Sequence, residues 1–280
     1  MRTMNLLVTL DENYLPPLYV LLQSVFVNNP QTAFDVYMIY DSIREERVAA
    51  LSDFCTAHGG RLYPIEAQED FFRGAPVTSR LPRAMYYRLL ARYLLPGSLD
   101  RILYLDPDIV VINPLDRLYD ADLDGFLFAG AAHTDITGVT ERVNQLRLQY
   151  ERPGYVNTGV LLLNLDLQRK ELQKEDIFAY IDEHKHELIL PDQDVLNGLY
   201  GKRVLLLDDS LYNYAAHRYE TYRIASGGVK TLDWVMQNTV IIHFCGKKKP
   251  WIKSSRGRYG ILYQHYAAMV RRQAPGRRNS

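Results

Sequence analysis

The stretch LYLDPDIVV, residues 103–111, is the most informative part of the sequence for predicting the fold. Its first half completes a mostly apolar run, residues 101–105, that predicts a β-strand, and the strand ends in Asp106-Pro107-Asp108. In an extended chain the side chains at i and i+2 point the same way, so the two carboxylates are expected to face one point. The stretch therefore predicts an acidic site at the end of a buried strand.

Two carboxylates this close repel each other unless a cation or a proton lies between them. A hard divalent cation such as Mg²⁺ or Mn²⁺ prefers oxygen ligands, which makes Asp106 and Asp108 a candidate metal pair. The alternative is an acidic turn that only caps the next element of secondary structure.

Strands and helices are predicted to alternate on both sides of this stretch. Apolar runs predict strands at residues 5–10, 34–40, 61–65, 101–105, 125–132, 160–165, 204–207 and 240–244. Helices are predicted at residues 15–28, 45–58, 83–95, 174–186 and 193–200, and the polar residues 133–152 are predicted to form a mobile flap. The alternation predicts an α/β fold with a mostly parallel sheet and helices on both faces.

The late segment VIIHFCGKKKPW, residues 240–251, carries a second set of site features. Its strand ends in His243, whose imidazole suits Mn²⁺ better than Mg²⁺. Gly246 allows a ligand to approach the backbone, and the lysines 247–249 provide positive charge for a diphosphate. A core histidine and a solvated turn would explain either feature alone, but together with the acidic pair they indicate a metal–diphosphate site.

Ligands of open α/β sheets bind outside the carboxyl ends of the strands. Polar clusters at residues 11–13, 106–108 and 243–246 all follow predicted strands at that end. Asn157 opens another strand, and Asp192-Gln193-Asp194 opens a helix, where one of the two aspartates is expected to be a cap. The remaining polar groups are expected to contact sugar hydroxyls.

Taken in order, six motifs of this chain resemble glycosyltransferase family 8: LDENY, the YYRLL helix, LYLDPDIVV, VNTGVLLLNL, DQDVLNGLY and HFCGKKKPW. The resemblance covers about residues 5–252. The family holds bacterial retaining galactosyl- and glucosyltransferases of lipopolysaccharide synthesis and the glycogenins. It implies a GT-A type fold with a nucleotide-binding α/β domain.

The resemblance also implies roles for individual residues. Asp106, Asp108 and His243 match the ligands of a Mn²⁺ ion. Mg²⁺ is the alternative metal. The residues that match contacts to the nucleotide, the diphosphate and the donor sugar are Leu10, Asp11, Glu12, Asn13, Tyr14, Arg88, Asp106, Pro107, Asn157, Asp192, Gln193, Gly246 and Lys249. Leu10 stands where many members have alanine, which leaves the detailed geometry at that contact open. Thr158 replaces the alanine of some relatives, so the contact at Thr158 is not carried over.

The implied activity is a retaining hexosyl transfer from UDP-glucose or UDP-galactose to a glycan, lipid-linked or other acceptor. Gln193 and Asp192 match the positions expected to act in catalysis. Retention requires either a nucleophile on the face opposite the leaving group or attack from the same face with the leaving phosphate as base. Asp192 is the nearby carboxylate for the first route, and we favour the second, in which Gln193 stabilises the oxocarbenium ion.

Two other functions compete with this hypothesis. In a haloacid-dehalogenase-like phosphohydrolase, Asp106 would be the nucleophile, Asp108 the acid/base, and Asp208-Asp209 a second acidic pair. That reading leaves HFCGKKKPW and LDENY without a role. A non-catalytic nucleotide-sugar-binding module is the other alternative, although every proposed ligand is present in the sequence.

Composition limits the remaining classes. The 280 residues hold 33 Lys+Arg and 33 Asp+Glu, so nothing draws the whole chain toward nucleic acid. Two cysteines fit a reducing compartment, and neither a signal peptide nor an apolar stretch of about 18 residues is found, which predicts a cytoplasmic protein. Residues 1–255 are expected to form the catalytic domain, and residues 256–280 a helix with a basic tail suited to an anionic membrane surface.

Overall fold

The structure, a computed structural model, describes residues 2–68, 75, 84–133, 139–148, 154–252 and 257–273. Most of the predicted basic tail, residues 274–280, lies outside these residues, as do residues 134–138 and 149–152 of the predicted flap. No helix within the described ranges is both long and apolar enough to span a bilayer.

Strands cover the predicted positions and several others. They are β1 (Arg2–Leu10), β2 (Thr32–Tyr40), β3 (Arg61–Glu66), β4 (Arg101–Leu105), β5 (Ile109–Val111), β6 (Phe128–Ala132), β7 (Val156–Asn164), β8 (Val204–Leu207), β9 (Tyr214–Ala215) and β10 (Ile241–His243).

The helices connect and cover these strands. They are α1 (Leu15–Asn28), α2 (Glu45–Ala57), α3 (Ala84–Leu89), α4 (Ala91–Leu94), α5 (Asp116–Tyr119), α6 (Val139–Leu148), α7 (Leu165–Glu171), α8 (Lys174–His184), α9 (Pro191–Tyr200), α10 (Asp209–Tyr212), α11 (Tyr219–Ala225), α12 (Leu232–Asn238) and α13 (Gly260–Gln273).

The described residues form a seven-stranded sheet in the order β3-β2-β1-β4-β7-β6-β8. Every strand of this sheet runs in one direction except β7, which pairs antiparallel with both β4 and β6. The predicted mostly parallel sheet is therefore confirmed. Because β7 runs the other way, its first residues lie at the same edge as the last residues of its neighbours.

Helices cover both faces of the sheet, as predicted. Along β1 the side chains alternate, so that Leu6 and Val8 pack in one buried cluster with α1 while Leu7 packs in another with α8 and α9. Both clusters consist of fully or nearly fully buried apolar residues. Apolar packing therefore covers both faces of the sheet, and polar side chains are found at the ends of its strands.

A second, three-stranded sheet in the order β5-β10-β9 lies next to the first. In it β10 pairs antiparallel with β5, which begins one residue after Asp108, and His243 stands opposite Ile109. The backbone N–H of Phe244 also donates to the carbonyl of Asp108 at 2.9 Å. This pairing brings the end of the late strand beside the acidic pair.

Four predicted elements differ from the structure. The strand predicted at residues 160–165 is longer, because β7 already begins at Val156. The helix predicted at residues 83–95 is interrupted, because Leu90 leaves the helical conformation between α3 and α4. The strand predicted from Gly125 begins at Phe128, since Gly125 has a φ of +74° and belongs to a turn. The predicted flap contains α6, whose Arg147 is anchored to Asp194.

The C-terminal helix α13 packs on the body of the protein. Its Tyr263, Tyr266 and Ala267 are buried against the second sheet, and the Tyr266 hydroxyl bonds to Asn28 of α1 at 2.8 Å. Ile261 of the same helix is 75% exposed. Part of the apolar surface of α13 is therefore used for packing within the protein.

Candidate active site

A cavity of about 1270 Å³ opens at the edge of the main sheet where β1, β4 and β6 end and β7 begins. Its lining includes all of the predicted site residues apart from Glu12 and Asn13: Leu10, Asp11, Tyr14, Arg88, Asp106, Pro107, Asp108, Asn157, Asp192, Gln193, His243, Gly246 and Lys249. The position agrees with the rule that ligands of α/β sheets bind beyond the carboxyl ends of the strands.

The acidic pair and the late imidazole meet at the floor of this cavity. One ligand atom each from Asp106, Asp108 and His243 lies within 4.8 Å of the others. His243 Nε2 is 3.3 Å from Asp108 Oδ1 and 3.8 Å from Asp106 Oδ2. Two carboxylates and one imidazole around one point form a donor set that suits Mn²⁺.

Gly159 keeps the space between these groups open. It lies on β7, and its carbonyl accepts a hydrogen bond of 2.8 Å from the backbone N–H of Asp106. A Cβ at this position would overlap ring carbon Cε1 of His243 and lie 2.8 Å from Asp106 Oδ2. Only glycine therefore leaves room for an ion among the three side chains, so the residues present fit a bound divalent metal.

Asp106 is held by neutral and cationic donors. The Tyr104 hydroxyl donates to its Oδ1 at 2.5 Å, and the Arg88 guanidinium lies 3.1 Å from the same oxygen. Burial raises the pKa of Asp106 above its ordinary value, and the charge of Arg88 offsets that increase only in part. A cation beside the carboxylate would favour its ionised form.

Asp108 has a different environment, although it is only two residues away. Burial alone would raise its pKa, but His243 and the ammonium of Lys249 outweigh burial and hold the pKa of Asp108 well below its ordinary value. Lys249 contacts Asp108 directly and also donates to the carbonyl of Phe244 at 3.2 Å. Asp108 is therefore a permanent anion at the floor of the cavity.

Asp192 faces the acidic pair from the other side of Arg88. Its Oδ2 lies 3.1 Å from the guanidinium of Arg88 and accepts a hydrogen bond of 2.6 Å from the Thr158 hydroxyl. Arg88 thus bridges Asp106 and Asp192, each about one fifth exposed. Thr158, which replaces an alanine of relatives, contributes through this bond.

Asp194 is the structural member of the Asp192–Asp194 pair. Its fully buried carboxylate accepts from the backbone N–H groups of Ile189 and Leu190 ahead of α9. It also accepts from Arg147 at 2.7 Å and from the Tyr155 hydroxyl at 2.5 Å. The prediction that one of these aspartates is the N-cap is wrong, because α9 begins earlier and its N-cap is Leu190; Asp194 instead lies inside the helix and binds the two N–H groups ahead of it.

The loop after β1 contributes only part of its predicted residues to the cavity. The Asp11 carboxylate accepts the backbone N–H of Asn13 at 2.9 Å, and Tyr14 packs edge-on against Trp251 with ring centroids 6.1 Å apart. Glu12 instead forms ion pairs of 3.1 Å with Arg44 and Arg47 at the surface. Asp11 and Tyr14 face the cavity, whereas the Glu12 side chain is committed to these arginines.

Gly246 adopts a φ of +87°, a conformation that favours glycine, and no atom within 4 Å would meet an added Cβ. The backbone at this position is therefore open to a ligand. Lys247 and Lys248 of the same segment are exposed and do not line the cavity, unlike Lys249.

Several site residues were missed in the sequence. Tyr104, Asn213 and Gly159 contact the predicted ligands directly, and Asp41, His133, Arg147 and Arg218 also line the cavity. Asp41 and His133 directly follow β2 and β6, so the rule that located Asp11 and Asp106 could have found them. Asn213 and Arg218 follow no long strand, and their positions depend on the second sheet.

Comparison with known proteins agrees with this geometry. Residues 5–255 match glycosyl transferase family 8. General stress protein A of Bacillus subtilis (strain 168) is 26% identical over 273 residues, covering 93% of this chain and 92% of that protein. A lipopolysaccharide 1,2-glucosyltransferase of Escherichia coli (strain K12) is 28% identical, covering 89% of this chain and 73% of that protein.

A solved structure shares the fold over nearly the whole chain. The crystal structure of the galactosyltransferase LgtC, in complex with donor and acceptor sugar analogs, is similar with a TM-score of 0.80 at 25% identity. The match covers 95% of this chain and 96% of that one, which confirms the predicted GT-A type fold. The resemblance predicted from the six motifs is confirmed as well, and the chain belongs to glycosyltransferase family 8.

Proposed function

We propose that the protein is a retaining hexosyltransferase that moves glucose or galactose from a UDP-sugar to a glycan or lipid-linked acceptor, with Mn²⁺ at Asp106, Asp108 and His243. The observation that carries the proposal is this cluster, open at Gly159 and located at the floor of the cavity. The names of a glucosyltransferase relative and a galactosyltransferase neighbour support both hexoses. Mg²⁺ is the alternative metal.

In the proposed complex the donor lies across the edge of the sheet. Asp11 and Tyr14 hold the uridine together with the backbone at Leu10, while Glu12 and Asn13 complete the loop. Pro107 lies between the metal ligands, and Gly246 and Lys249 contact the diphosphate from the opposite wall. Arg88, Asn157, Asp192 and Gln193 surround the hexose. A bound divalent ion supplies charge neutralisation for the leaving diphosphate.

In the proposed reaction the bond between C1 of the hexose and the diphosphate oxygen breaks, and UDP leaves with the electron pair. The acceptor hydroxyl oxygen forms the new bond to C1 from the same face and gives its proton to the leaving phosphate. Asp192 is already engaged by Arg88 and Thr158, and Gln193 Oε1 accepts a hydrogen bond of 2.6 Å from Asn157. Both contacts of Asp192 fall on Oδ2 and reduce the nucleophilicity of this carboxylate, and the amide oxygen of Gln193 is a poor nucleophile, which supports same-face attack.

The proposed role of Lys249 follows from its position. Its ammonium contacts Asp108 and lines the cavity, so a diphosphate on the metal ligands lies within its reach. Charge placed in advance where negative charge develops stabilises a transition state, and loss of such a group commonly costs about 10²–10³ in rate.

The test is a panel of UDP-sugars with Mn²⁺, scored for release of UDP with and without candidate acceptors. We expect UDP-glucose or UDP-galactose to be turned over by the wild type. Asp108→Ala removes one metal ligand and should abolish that turnover while the protein stays folded. Turnover that persists in this variant would show that the metal assignment is wrong.

The same panel separates the competing functions. Release of free phosphate from a simple phosphomonoester would favour the phosphohydrolase, but Asp208 and Asp209 are used elsewhere: Asp208 accepts from Ser210 and Asp209 from Tyr222. Tight UDP binding without turnover against many acceptors would favour a binding module.

We also propose a cytoplasmic location with peripheral contact to an anionic membrane through the C-terminal helix. The two free cysteines support a reducing compartment. The membrane contact is supported by Ile261, Arg271 and Arg272, three exposed residues of this helix. Because α13 packs into the protein, truncation should begin at residue 274. Liposome co-sedimentation that is unchanged by this truncation and by Arg271→Ser with Arg272→Ser would refute the membrane contact.

A further inference from the structure

A chain of hydrogen bonds runs behind the candidate metal cluster, and one backbone group fixes its direction. The N–H of Gly159 donates to Asn157 Oδ1 at 3.0 Å. A backbone N–H can only donate, so the side-chain atom that receives it is the amide oxygen. The amide nitrogen of Asn157 therefore points the other way and donates to Gln193 Oε1 at 2.6 Å.

Asn213 continues this chain toward His243. Its Nδ2 donates to the same Asn157 oxygen at 2.9 Å. With its nitrogen used in this way, Asn213 presents its oxygen to His243 Nδ1 at 2.8 Å. An amide oxygen only accepts, so His243 Nδ1 must carry the hydrogen.

This arrangement keeps a hydrogen on Nδ1 of the imidazole, so Nε2 is the nitrogen that faces the carboxylates, 3.3 Å from Asp108 Oδ1. Nε2 donates to Asp108 when it carries a hydrogen and offers its lone pair to a cation when it does not. In the neutral tautomer with its hydrogen on Nε2 alone, the Nδ1 lone pair would face the Asn213 oxygen, which is unfavourable. The bonded tautomer is the one that can ligate a cation through Nε2.

The fold holds Asn213 in place independently of the cavity. Asn213 follows α10 and immediately precedes β9, which pairs with β10 so that Ala215 stands opposite His243. Its side chain is fully buried and does not line the cavity. A donor or acceptor sugar therefore does not need to touch it for it to influence the metal site.

We propose that Asn213 is a positioning residue that holds His243 in the Nδ1–H tautomer, which frees Nε2 for the metal. Through Asn157 the same hydrogen bonds orient the amide of Gln193, so the metal ligand and the sugar-binding amide share one support. The proposal rests on the proposed metal-dependent function, but the hydrogen bond from His243 Nδ1 to Asn213 Oδ1 does not require the metal.

The test begins with metal-free protein labelled with ¹⁵N in its histidine rings, with the His243 signal assigned by a His243→Gln variant. NMR should show a protonated Nδ1 in the wild type, whether or not Nε2 also carries a proton. Asn213→Leu keeps the approximate volume but removes the acceptor. We expect the Nε2–H tautomer to gain population in this variant and the Mn²⁺ affinity to fall about 10–100-fold, as is usual for loss of a partner behind a metal ligand.

Two further variants separate positioning from packing. Asn213→Asp retains an acceptor and should keep the Nδ1–H tautomer. Asn29→Leu is the matched control, because Asn29 is also buried and bridges two backbone groups, Val25 and Leu115, at the opposite edge of the sheet. It should leave both the tautomer and the Mn²⁺ affinity unchanged.

The proposal is overturned if wild-type His243 carries no proton on Nδ1, a result that needs no variant to fold. It is also overturned if Asn213→Leu retains both the Nδ1–H tautomer and the Mn²⁺ affinity of the wild type. Failure of the proposed function has a different signature, in which the wild type shows the Nδ1–H tautomer but binds no Mn²⁺.

Discussion

Gly159 shows how one missing side chain defines the candidate metal site. Ala at this position would place its Cβ against the His243 ring and 2.8 Å from Asp106 Oδ2, so the ring or the carboxylate must move. We expect Gly159→Ala to lower the rate of UDP release about 10²-fold, the scale associated with a displacement of about 1 Å in a catalytic group. The Mn²⁺ affinity of the variant should fall in parallel.

Gly201→Ala provides the matched control for this prediction. Gly201 has a φ of −50°, which any residue adopts, and no atom within 4 Å would meet its Cβ. Its UDP release and Mn²⁺ affinity should equal those of the wild type. A Gly159→Ala enzyme with full activity would mean that the cluster does not hold the ion.

The two thiols differ in solvent access and in pKa, and these differences predict how fast each is alkylated. Burial raises the pKa of Cys55 to about 12 and that of Cys245 to about 11. Cys245 lines the cavity, whereas Cys55 lies on the buried face of α2 and is fully buried. At about pH 8 both thiols are protonated, so we expect slow alkylation of Cys245 and none of Cys55 in the folded protein.

The rate at Cys245 should rise about tenfold per pH unit below its pKa, because only the thiolate reacts. UDP with Mn²⁺ should protect Cys245 if the nucleotide occupies the cavity. Mass spectrometry of the labelled peptides measures both effects, with denatured protein as the reference for full reactivity. Labelling of Cys55 ahead of Cys245 would contradict the placement of the two residues.

At the scale of elements, Asp194 joins α6, the start of α9 and the segment before it. Its carboxylate is fully buried and satisfies Arg147, Tyr155 and two backbone N–H groups. Asp194→Ala would remove the carboxylate that pairs with the largely buried guanidinium of Arg147. We expect a loss of about 3–5 kcal/mol in the free energy of unfolding, measured by urea denaturation.

Asp182→Ala is the control for this prediction. Asp182 pairs with Lys185 on the neighbouring helix α8, but its side chain is 70% exposed, so its removal should cost about 1 kcal/mol or less. Equal losses in the two variants would show that the buried anchor contributes no more than a surface pair.

The elements themselves were largely predictable from local patterns. Helix α1 has the predicted bounds, and β1, β4 and β8 appear where short apolar runs are bounded by polar or turn residues. The break at Leu90 was not predictable, because no glycine or proline marks it in the run of residues 83–95. The helix α6 was missed for another reason: its sequence is polar, and its anchor to Asp194 is a tertiary contact.

For the whole molecule, the predicted site depended on residues far apart in the chain. The rule for strand ends placed Asp11, Asp106 and His243 at one edge. The sequence did not reveal that β5, β9 and β10 form a separate sheet, because strands of two or three residues have no distinct hydrophobic period. That sheet brings His243 and Asn213 to the acidic pair, so the support behind the ligands escaped prediction.

The assembled site leads to a prediction for the stability of the whole protein. Ligands that bind only the folded state raise its stability by about 2.7 kcal/mol at a concentration of about 100 times Kd. For a chain of this size that corresponds to a rise of about 5–10 °C in Tm. Because a diphosphate and the protein carboxylates would share one ion, we expect UDP and Mn²⁺ together to raise Tm by more than the sum of their separate effects.

Asp108→Ala decides whether this synergy arises at the proposed cluster. The variant removes the carboxylate whose pKa is held low by His243 and Lys249, and with it a permanently charged ligand. Its own Tm without ligands serves as the baseline, so any change in intrinsic stability is subtracted. The excess shift with UDP and Mn²⁺ should disappear, since the ion then lacks a shared position between protein and nucleotide. An excess shift equal to that of the wild type would place the metal elsewhere on the protein.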